Sequence, residues 1–212
     1  MYQRRNAQGV PALSVYLNFV EWGLVIEQTD TYIRTTDPDD ATTLVQLYAW
    51  SDVRCALLDQ KREPMMPTVD ELREILASPE AAKGAFHTLE DGTGQIRGFC
   101  CLRGLSQDTS FCEVSILPLA EANLELPCMD AGMKFILKRA FAHHGLQKVM
   151  THVLDKETRV RAFYLEHGFR SAGTQREALY ANGKYHDIEA LICWNPQGAR
   201  RVIAEGSESH AN

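Results

Sequence analysis

Residues 145–169, GLQKVMTHVLDKETRVRAFYLEHGF, decide the fold of this chain. The run KVMTHVL (148–154) is apolar and has the length of one buried strand. KETRVRAFYLEH (156–167) then favours a helix that stops at Gly168, a residue type that commonly ends helices. A strand that leads directly into a helix predicts a layer of helices on a sheet.

Two further strands are predicted after this stretch, roughly at 169–176 and 187–194. Asn182 and Gly183 lie in the connection between them and are typical turn residues. The polar residues 195–212 that follow are expected to be a frayed tail.

Upstream, three strand-like runs are separated by turn residues, which predicts an antiparallel meander. The runs are 84–90, 95–104 and 109–119. Residues 129–144 have apolar positions with a 3.6-residue period, so they predict a helix closed by Gly145. We expect this helix to form the crossover from the meander to the strand at 148–154.

The beginning of the chain combines clear and ambiguous signals. TYIRTT (31–36) predicts a short strand that runs into a helix start at Asp37-Pro38, and Thr68 to Glu71 form a capping box for a second helix. Residues 11–28 are apolar and fit either a strand or one face of a helix, so their type stays open. They are expected to pack on the body of the protein or on a partner.

The predicted order is β-α-α-β-β-β-α-β-α-β-β. It indicates an α/β (α+β) protein with a mixed, mostly antiparallel central sheet, flanking helices and a β-α-β crossover. Three regions are expected: an apolar extension at 1–30, one domain at 31–194 and the polar tail at 195–212.

Composition narrows the functional classes. The chain has 212 residues and a formal charge of −6, which argues against nucleic acid as the main ligand because phosphate binding needs a basic face. No apolar stretch is long enough to cross a bilayer, so no membrane association is expected. The six cysteines show no metal-ligand spacing, and we expect no metal and reduced thiols in a cytoplasmic protein.

The element order and the segment 145–192 resemble the GNAT superfamily of N-acyltransferases. The motifs that carry the resemblance are Phe163-Tyr164 on the short helix and Gly168-Phe169 after it. The tail REALYANGKYHDIEALI (176–192) resembles the branch that includes the ribosomal-protein alanine N-acetyltransferases. The resemblance implies that the chain moves an acetyl group from acetyl-CoA to an amine of a small molecule or protein by direct attack.

The resemblance also implies catalytic roles. Tyr164 would be the general acid that protonates the departing thiolate, and Glu113 the general base that takes the amine proton. Each residue has a plainer interpretation from sequence alone. Tyr164 shares a helix face with Val160 and fits a core aromatic, and Glu113 fits an outward position in an alternating strand.

The resemblance further predicts residues that hold the acyl-CoA. Main-chain groups of Ile116 and Leu117 would meet the pantetheine arm, and Arg161 would supply a cation. The pyrophosphate would lie where the chain enters the helix predicted at 129–144. The residues expected there are Cys128, Met129, Asp130, Ala131 and Gly132.

This last segment departs from the family. Members carry a Q/R-x-x-G-x-G/A loop, whereas this chain has LELPCMDAG (124–132), in which Pro127 lacks an N–H and Glu125 and Asp130 add negative charge. An alternative is therefore a non-catalytic GNAT-fold binding module that has lost acyl-CoA. A GNAT enzyme with a longer acyl-CoA or a charged tRNA as donor is a further alternative, and a homodimer is possible.

Overall fold

The computed structural model describes residues 31–50, 67–78, 86–104, 111–181 and 183–197. The strands are β1 (Tyr32–Thr35), β2 (Phe86–Glu90), β3 (Ile96–Arg103), β4 (Phe111–Pro118), β5 (Lys148–Leu154), β6 (Arg170–Ala181) and β7 (Lys184–Trp194). The helices are α1 (Ala41–Leu44), α2 (Gln46–Trp50), α3 (Val69–Leu76), α4 (Pro127–Lys138) and α5 (Thr158–Glu166). The segment 11–28, whose type the sequence left open, lies outside the described residues.

The seven strands form one sheet in the order β1-β2-β3-β4-β5-β7-β6. Every neighbouring pair is antiparallel except β4 and β5, which run parallel. Parallel neighbours need a crossover connection, and α4 lies in the chain between these two strands. The predicted mixed sheet, with its meander and its crossover helix, is confirmed.

Helices cover both faces of the sheet and divide the core into two layers. On one face, α4 and α5 bury side chains such as Met133 and Phe163 against the sheet residues Val114 and Val149. On the other face, helices α1 to α3 pack against the sheet. The buried residues of this second layer are Ala41, Leu44, Leu47, Leu72, Leu76, Phe99, Cys101 and Leu117.

Local capping residues determine where the first helices begin. Asp37 accepts a hydrogen bond from the Asp39 N–H and forms a capping box with Asp40. Thr68 and Glu71 form the second predicted capping box, at the start of α3. Both boxes satisfy backbone N–H groups that a helix otherwise leaves without partners.

Three predicted boundaries differ from the structure: the start of the crossover helix, the end of β6 and the start of β7. The crossover helix begins at Pro127, two residues earlier than predicted, because proline is well suited to the first position of a helix. Its last residues, Arg139–His143, form a π-helical turn. Strands β6 and β7 are longer than predicted and pair up to Ala181 and Lys184, beside the predicted turn at Gly183.

The described cysteines are free and buried, which agrees with their interpretation as small apolar side chains. Burial raises the pKa of the Cys101 thiol to about 11, so this thiol stays protonated at neutral pH. Among the described residues no group of His, Cys, Asp and Glu could hold a metal ion. No described helix is long and apolar enough to cross a membrane.

Candidate active site

An opening in the middle of the sheet separates β4 from β5. The two parallel strands pair only from Phe111 to Glu113 on β4 and from Lys148 to Met150 on β5. Beyond these residues β4 remains paired with β3, and β5 remains paired with β7. The strands therefore diverge past Glu113, and we call the space between them the β4/β5 opening.

Tyr164 reaches this opening from α5. The residue is buried, and its ring packs edge-on against Phe169 with 5.0 Å between the ring centroids. Its hydroxyl oxygen accepts a hydrogen bond of 2.9 Å from the backbone N–H of Ile116. Because Ile116 follows the last pair that joins β4 to β5, the phenol lies at the β4 side of the opening.

The two residues expected to offer main-chain groups differ in orientation. Ile116 directs its N–H to Tyr164, so its main chain faces the opening. Alternation along a strand turns the neighbouring main-chain groups the other way, and Leu117 is in register with Phe99 of β3. The Leu117 side chain packs in the layer of α1 to α3. Ile116 is therefore the residue of the two whose N–H faces the opening.

Glu113 lies at the start of the opening and is held by two cationic or donor side chains. Its Oε1 accepts a hydrogen bond of 2.9 Å from Nη2 of Arg103 on β3, and it lies 3.4 Å from Nδ1 of His152 on β5. Burial alone would raise the pKa of this carboxyl, but hydrogen bonding from His152 and the charge of Arg103 outweigh it and lower the pKa. Glu113 is therefore ionised at neutral pH.

Tyr164 and Glu113 approach the opening from opposite faces of the sheet. Side chains alternate along β4, so Glu113 and Ser115 share the face that packs against α1 to α3, with Leu117. Ile116 belongs to the core cluster of α4 and α5, where Tyr164 is also buried. A proton donor on one face and a proton-accepting cluster on the other thus flank one gap in the sheet.

The predicted pyrophosphate segment forms the first turns of α4 rather than a loop. Leu126 is the N-cap residue and makes no side-chain capping bond, and the N–H of Met129 bonds to the carbonyl of Leu126 at 3.0 Å. The side chains of Cys128 and Met129 are buried in the core, so these residues could meet a ligand only through their backbone. An uncapped helix N-terminus attracts anions because its N–H groups and its dipole point outward.

Asp130 lies in the first turn of α4 and is paired twice. Its carboxylate lies 3.1 Å from Nε2 of His167 and 2.7 Å from Nζ of Lys134. Hydrogen bonding from His167 is the main reason that the pKa of Asp130 lies below its usual range. Lys134 offsets part of the negative charge of Asp130 at this helix end, and His167 is a hydrogen-bond partner of the same carboxylate.

Gly132 and Ala131 lie further into α4. A Cβ atom on Gly132 would lie 2.6 Å from Cδ1 of Leu89 on β2, so the close approach of the helix to the sheet favours a glycine here. Packing therefore accounts for Gly132 without a ligand. Ala131 is partly exposed beside it.

The predicted cation Arg161 makes an ion pair of its own. Its Nε lies 2.6 Å from a carboxylate oxygen of Glu189 on β7, and Nη2 is 3.2 Å from the other oxygen. This pair ties α5 to the sheet. Nearer to α4, Arg159 pairs with Glu125, so the acidic residue before the helix also has a cationic partner.

His152 and Arg103 are residues of this site that the sequence did not indicate, and His152 lies within the apolar run KVMTHVL (148–154). On β5, Val149, Thr151 and Val153 point into the layer of α4 and α5, whereas His152 lies on the other face and keeps 25% of its side chain exposed. The alternation along KVMTHVL was visible in the sequence. The partner Glu113, on another strand, was not.

The residues present fit an acyl-CoA. Its pantetheine arm needs main-chain partners, which β4 offers where it leaves β5, and its pyrophosphate suits an uncapped helix N-terminus such as that of α4. The departure in the segment LELPCMDAG (124–132) lies at the second place, where Glu125 and Asp130 add negative charge.

Comparisons with known proteins bear on this site. The sequence model of the acetyltransferase (GNAT) domain matches residues 33–189. None of the curated proteins matches the chain. Among solved structures, spermidine N-acetyltransferase from Vibrio cholerae in complex with CoA and spermine is similar, with a TM-score of 0.65 at 19% identity, over 80% of this chain and 98% of that chain.

Two more structures of that enzyme are similar to the same extent. A chimera between the Vibrio cholerae enzyme and hSSAT has a TM-score of 0.65 at 19% identity and covers 82% of this chain and 100% of its own. A dodecameric structure in an intermediate state has a TM-score of 0.63 at 18% identity, over 81% of this chain and 98% of that one. At this identity the likeness shows the fold.

The family match extends over most of the chain and includes β4, α4, β5 and α5, which build the candidate site. It confirms the predictions of an N-acetyltransferase, of an amine as acceptor and of acetyl-CoA as the acetyl donor. The protein belongs to the GNAT acetyltransferase family.

Proposed function

We propose that this protein acetylates a cationic alkyl amine at the β4/β5 opening, with Tyr164 as general acid and the Glu113 cluster on the proton-accepting side. The observation that carries the proposal is the hydrogen bond from the Ile116 N–H to the Tyr164 hydroxyl, which fixes the phenol at the gap between the strands. Acetyl-CoA supplies the acetyl group as a thioester, and CoA leaves as the thiol.

The chain's own residues then have separate tasks. The Tyr164 oxygen accepts the Ile116 N–H, so its own proton is directed to another acceptor and can be given to the departing sulfur. On the other face, the carboxylate of Glu113 attracts an ammonium group and stabilises positive charge during loss of its proton. Attack by the amine is direct, so no acetylated side chain is formed.

The substrate-holding roles are proposed residue by residue. The main chain of Ile116 would meet the pantetheine arm, with the Leu117 side chain beside it. The pyrophosphate would lie at the N-terminus of α4. The residues proposed there are Cys128, through its N–H group, and Met129, whose N–H also bonds to the Leu126 carbonyl, with Asp130, Ala131 and Gly132 in the same helix. Arg161 would supply a cation to the acyl-CoA and would keep its ion pair with Glu189.

A polyamine is the proposed class of acceptor. The chain carries a net charge of −6, and similar folds belong to spermidine N-acetyltransferases. A cationic amine would be drawn to such a protein by long-range attraction. The likeness of the tail at 176–192 to the alanine N-acetyltransferases favours a peptide N-terminus as a second candidate.

A homodimer and a cytoplasmic location are further parts of this proposal. A homodimer would cover the exposed aromatic pair Tyr180 and Tyr185, whose rings lie 5.0 Å apart on the β6–β7 hairpin. A similar structure is dodecameric. The single domain at 31–194 and a cytoplasmic location remain predictions. Sedimentation of the full chain would measure its oligomeric state directly.

Calorimetry of the full chain with acetyl-CoA, CoA and a longer acyl-CoA is the first test. We expect micromolar binding of acetyl-CoA, followed by turnover with spermidine or spermine in a panel that also contains an alanine-initiated peptide. Turnover of the peptide alone would replace the proposed acceptor with the second candidate. No binding of any of the three at millimolar concentration would overturn the proposal.

A further inference from the structure

His152 stands across the β4/β5 opening from β4. Met150 is the last residue of β5 in register with β4, where it opposes Glu113. Counted two residues further along both strands, Ser115 and His152 face each other where the strands have separated. His152 lies on the face opposite to Val149 and Thr151, and it remains partly accessible. An acceptor that enters from this face meets its ring.

The hydrogen bonds of the site orient that ring. The Glu113 carboxylate can only accept, so Nδ1 of His152, 3.4 Å from its Oε1, carries a proton towards it. In a neutral imidazole the other nitrogen, Nε2, then carries a lone pair. No hydrogen bond to Nε2 is found among the described residues. A substrate amine at Nε2 would complete the order carboxylate, imidazole, substrate. In this order the carboxylate polarises the histidine for proton transfer.

Glu113 itself is poorly suited to accept a proton. Its Oε1 is already engaged by Arg103 at 2.9 Å, and its lowered pKa makes it a weak base. Imidazole, in contrast, is the side-chain group that ordinarily changes its charge near neutral pH. The carboxylate is better suited to hold the imidazole and to stabilise the imidazolium that forms.

We propose that His152 Nε2 takes the proton of the attacking amine, and that Glu113 is a positioning residue that acts through His152. This inference rests on the proposed function. The ammonium N–H bond breaks as a bond from Nε2 to hydrogen forms, and the electron pair left on nitrogen bonds to the acetyl carbon. The carbon–sulfur bond breaks, and sulfur keeps the electron pair and takes the Tyr164 proton. The Tyr164 oxygen regains a proton from the acetylated nitrogen, and His152 later releases its proton to water.

Among the described residues, few charged side chains lie near the His152 ring. Arg103 comes from β3 and Glu113 from β4, and the two form an ion pair with each other. On β7 the residue in register is Ala190, which carries no charge. On β5 itself, the same-face neighbours Met150 and Leu154 are also uncharged. Glu113 and Arg103 are therefore the charged side chains that face this ring among the described residues.

The test compares His152→Asn and Glu113→Gln with the wild-type chain, using the best amine of the panel between pH 6 and 9.5. Asparagine can still donate to Glu113 but offers no ring nitrogen. We expect His152→Asn to lower kcat/KM about 100-fold and to remove the acid limb of the pH profile. Glu113→Gln should keep that limb at a lower apparent pKa, since the imidazolium loses its carboxylate. His143→Gln, an exposed histidine at the end of the helix, should change neither.

Each contrary result has its own meaning. If His152→Asn kept activity within threefold and kept the acid limb, while Glu113→Gln lost it, Glu113 would be the base and the inference would be wrong. A wild-type chain that acetylates none of the amines would overturn the proposed function, and this inference with it. Should His152→Asn fail to fold, nitrogen-15 spectra of the wild-type imidazoles decide: the Nδ1–H tautomer of His152 supports the inference, and the Nε2–H tautomer overturns it.

Discussion

The β4/β5 opening and the N-terminus of α4 are the two places proposed to hold the acyl-CoA, and they are built in different ways. The opening needs only that two strands diverge, and main-chain groups supply its contacts whatever the side chains are. The helix terminus needs glycines in the family's loop, and this chain has Pro127 and Met129 at those positions instead. One half of a binding site can thus keep its geometry while the other loses its motif.

Removing the Tyr164 hydroxyl at the β4/β5 opening should have the largest effect on catalysis. Tyr164→Phe keeps the buried ring but removes the hydroxyl that accepts the Ile116 N–H and protonates the leaving sulfur. We expect kcat to fall about 100-fold, because a general acid typically contributes on that scale. The dissociation constant of acetyl-CoA, measured by calorimetry, should change by less than about threefold.

The matched control for this variant is Tyr180→Phe. Tyr180 is 62% exposed on the β6–β7 hairpin, so loss of its hydroxyl should leave kcat unchanged. The buried N–H of Ile116 also loses a partner in Tyr164→Phe, at a cost of roughly 1–3 kcal/mol in stability. A thermal melt separates that loss from catalysis, and equal kcat values for both variants would remove Tyr164 from the mechanism.

The fold was predictable because its signals are local. Turn residues, a capping box at Thr68 and a 3.6-residue period each lie within a few residues of one another, and together they give the order of elements. The boundaries were less certain, since Pro127 was interpreted as part of a loop although it begins α4. Proline occurs both in loops and at the first position of helices, so this residue type does not distinguish the two.

The site was predictable only in part. Tyr164 was found through a family resemblance, because its spacing from Val160 alone indicates a core residue. The partners of Glu113 could not be found, since Arg103 and His152 reach it from two different strands and the register between strands is not written in either one. Contacts between strands bring these candidate residues together into one site, and the sequence of a single strand does not show them.

Substitution of Gly132 tests the packing of the first turns of α4 against the sheet. In Gly132→Ala the new methyl group would lie 2.6 Å and 2.8 Å from the two Cδ atoms of Leu89, a fully buried side chain that would have to shift. We expect a loss of roughly 1–3 kcal/mol in the free energy of unfolding, measured with denaturant, although alanine is the better helix former.

A double-mutant cycle with Leu89→Ala shows whether the clash is the cause. The second variant opens the space that the methyl group needs. The loss of unfolding free energy in the double variant should therefore be smaller than the sum of the losses in the two single variants. Acetyl-CoA should bind the folded Gly132→Ala variant as it binds the wild type. A stable variant with weakened binding would instead assign Gly132 to the ligand rather than to packing.

The smallest effect is expected from the charge at the same terminus. Asp130→Asn removes a carboxylate from the first turn of α4 but can keep a hydrogen bond to His167, and it releases Lys134 from its pair. A charge near a helix end typically contributes about 0.5–1 kcal/mol, so acetyl-CoA should bind about two- to fivefold more tightly. The gain should shrink as salt is added, since screening weakens exposed charges.

Acetyl-pantetheine, which lacks the pyrophosphate, makes this prediction specific. Its affinity should not change in Asp130→Asn, and Asp70→Asn, in the first turn of α3, should alter neither ligand. Equal tightening of both ligands would mean that the substitution acts through the fold and not through the pyrophosphate. Weaker acetyl-CoA binding would mean that Asp130 serves the donor site by holding His167, and that the terminus is adapted to its ligand rather than degenerate.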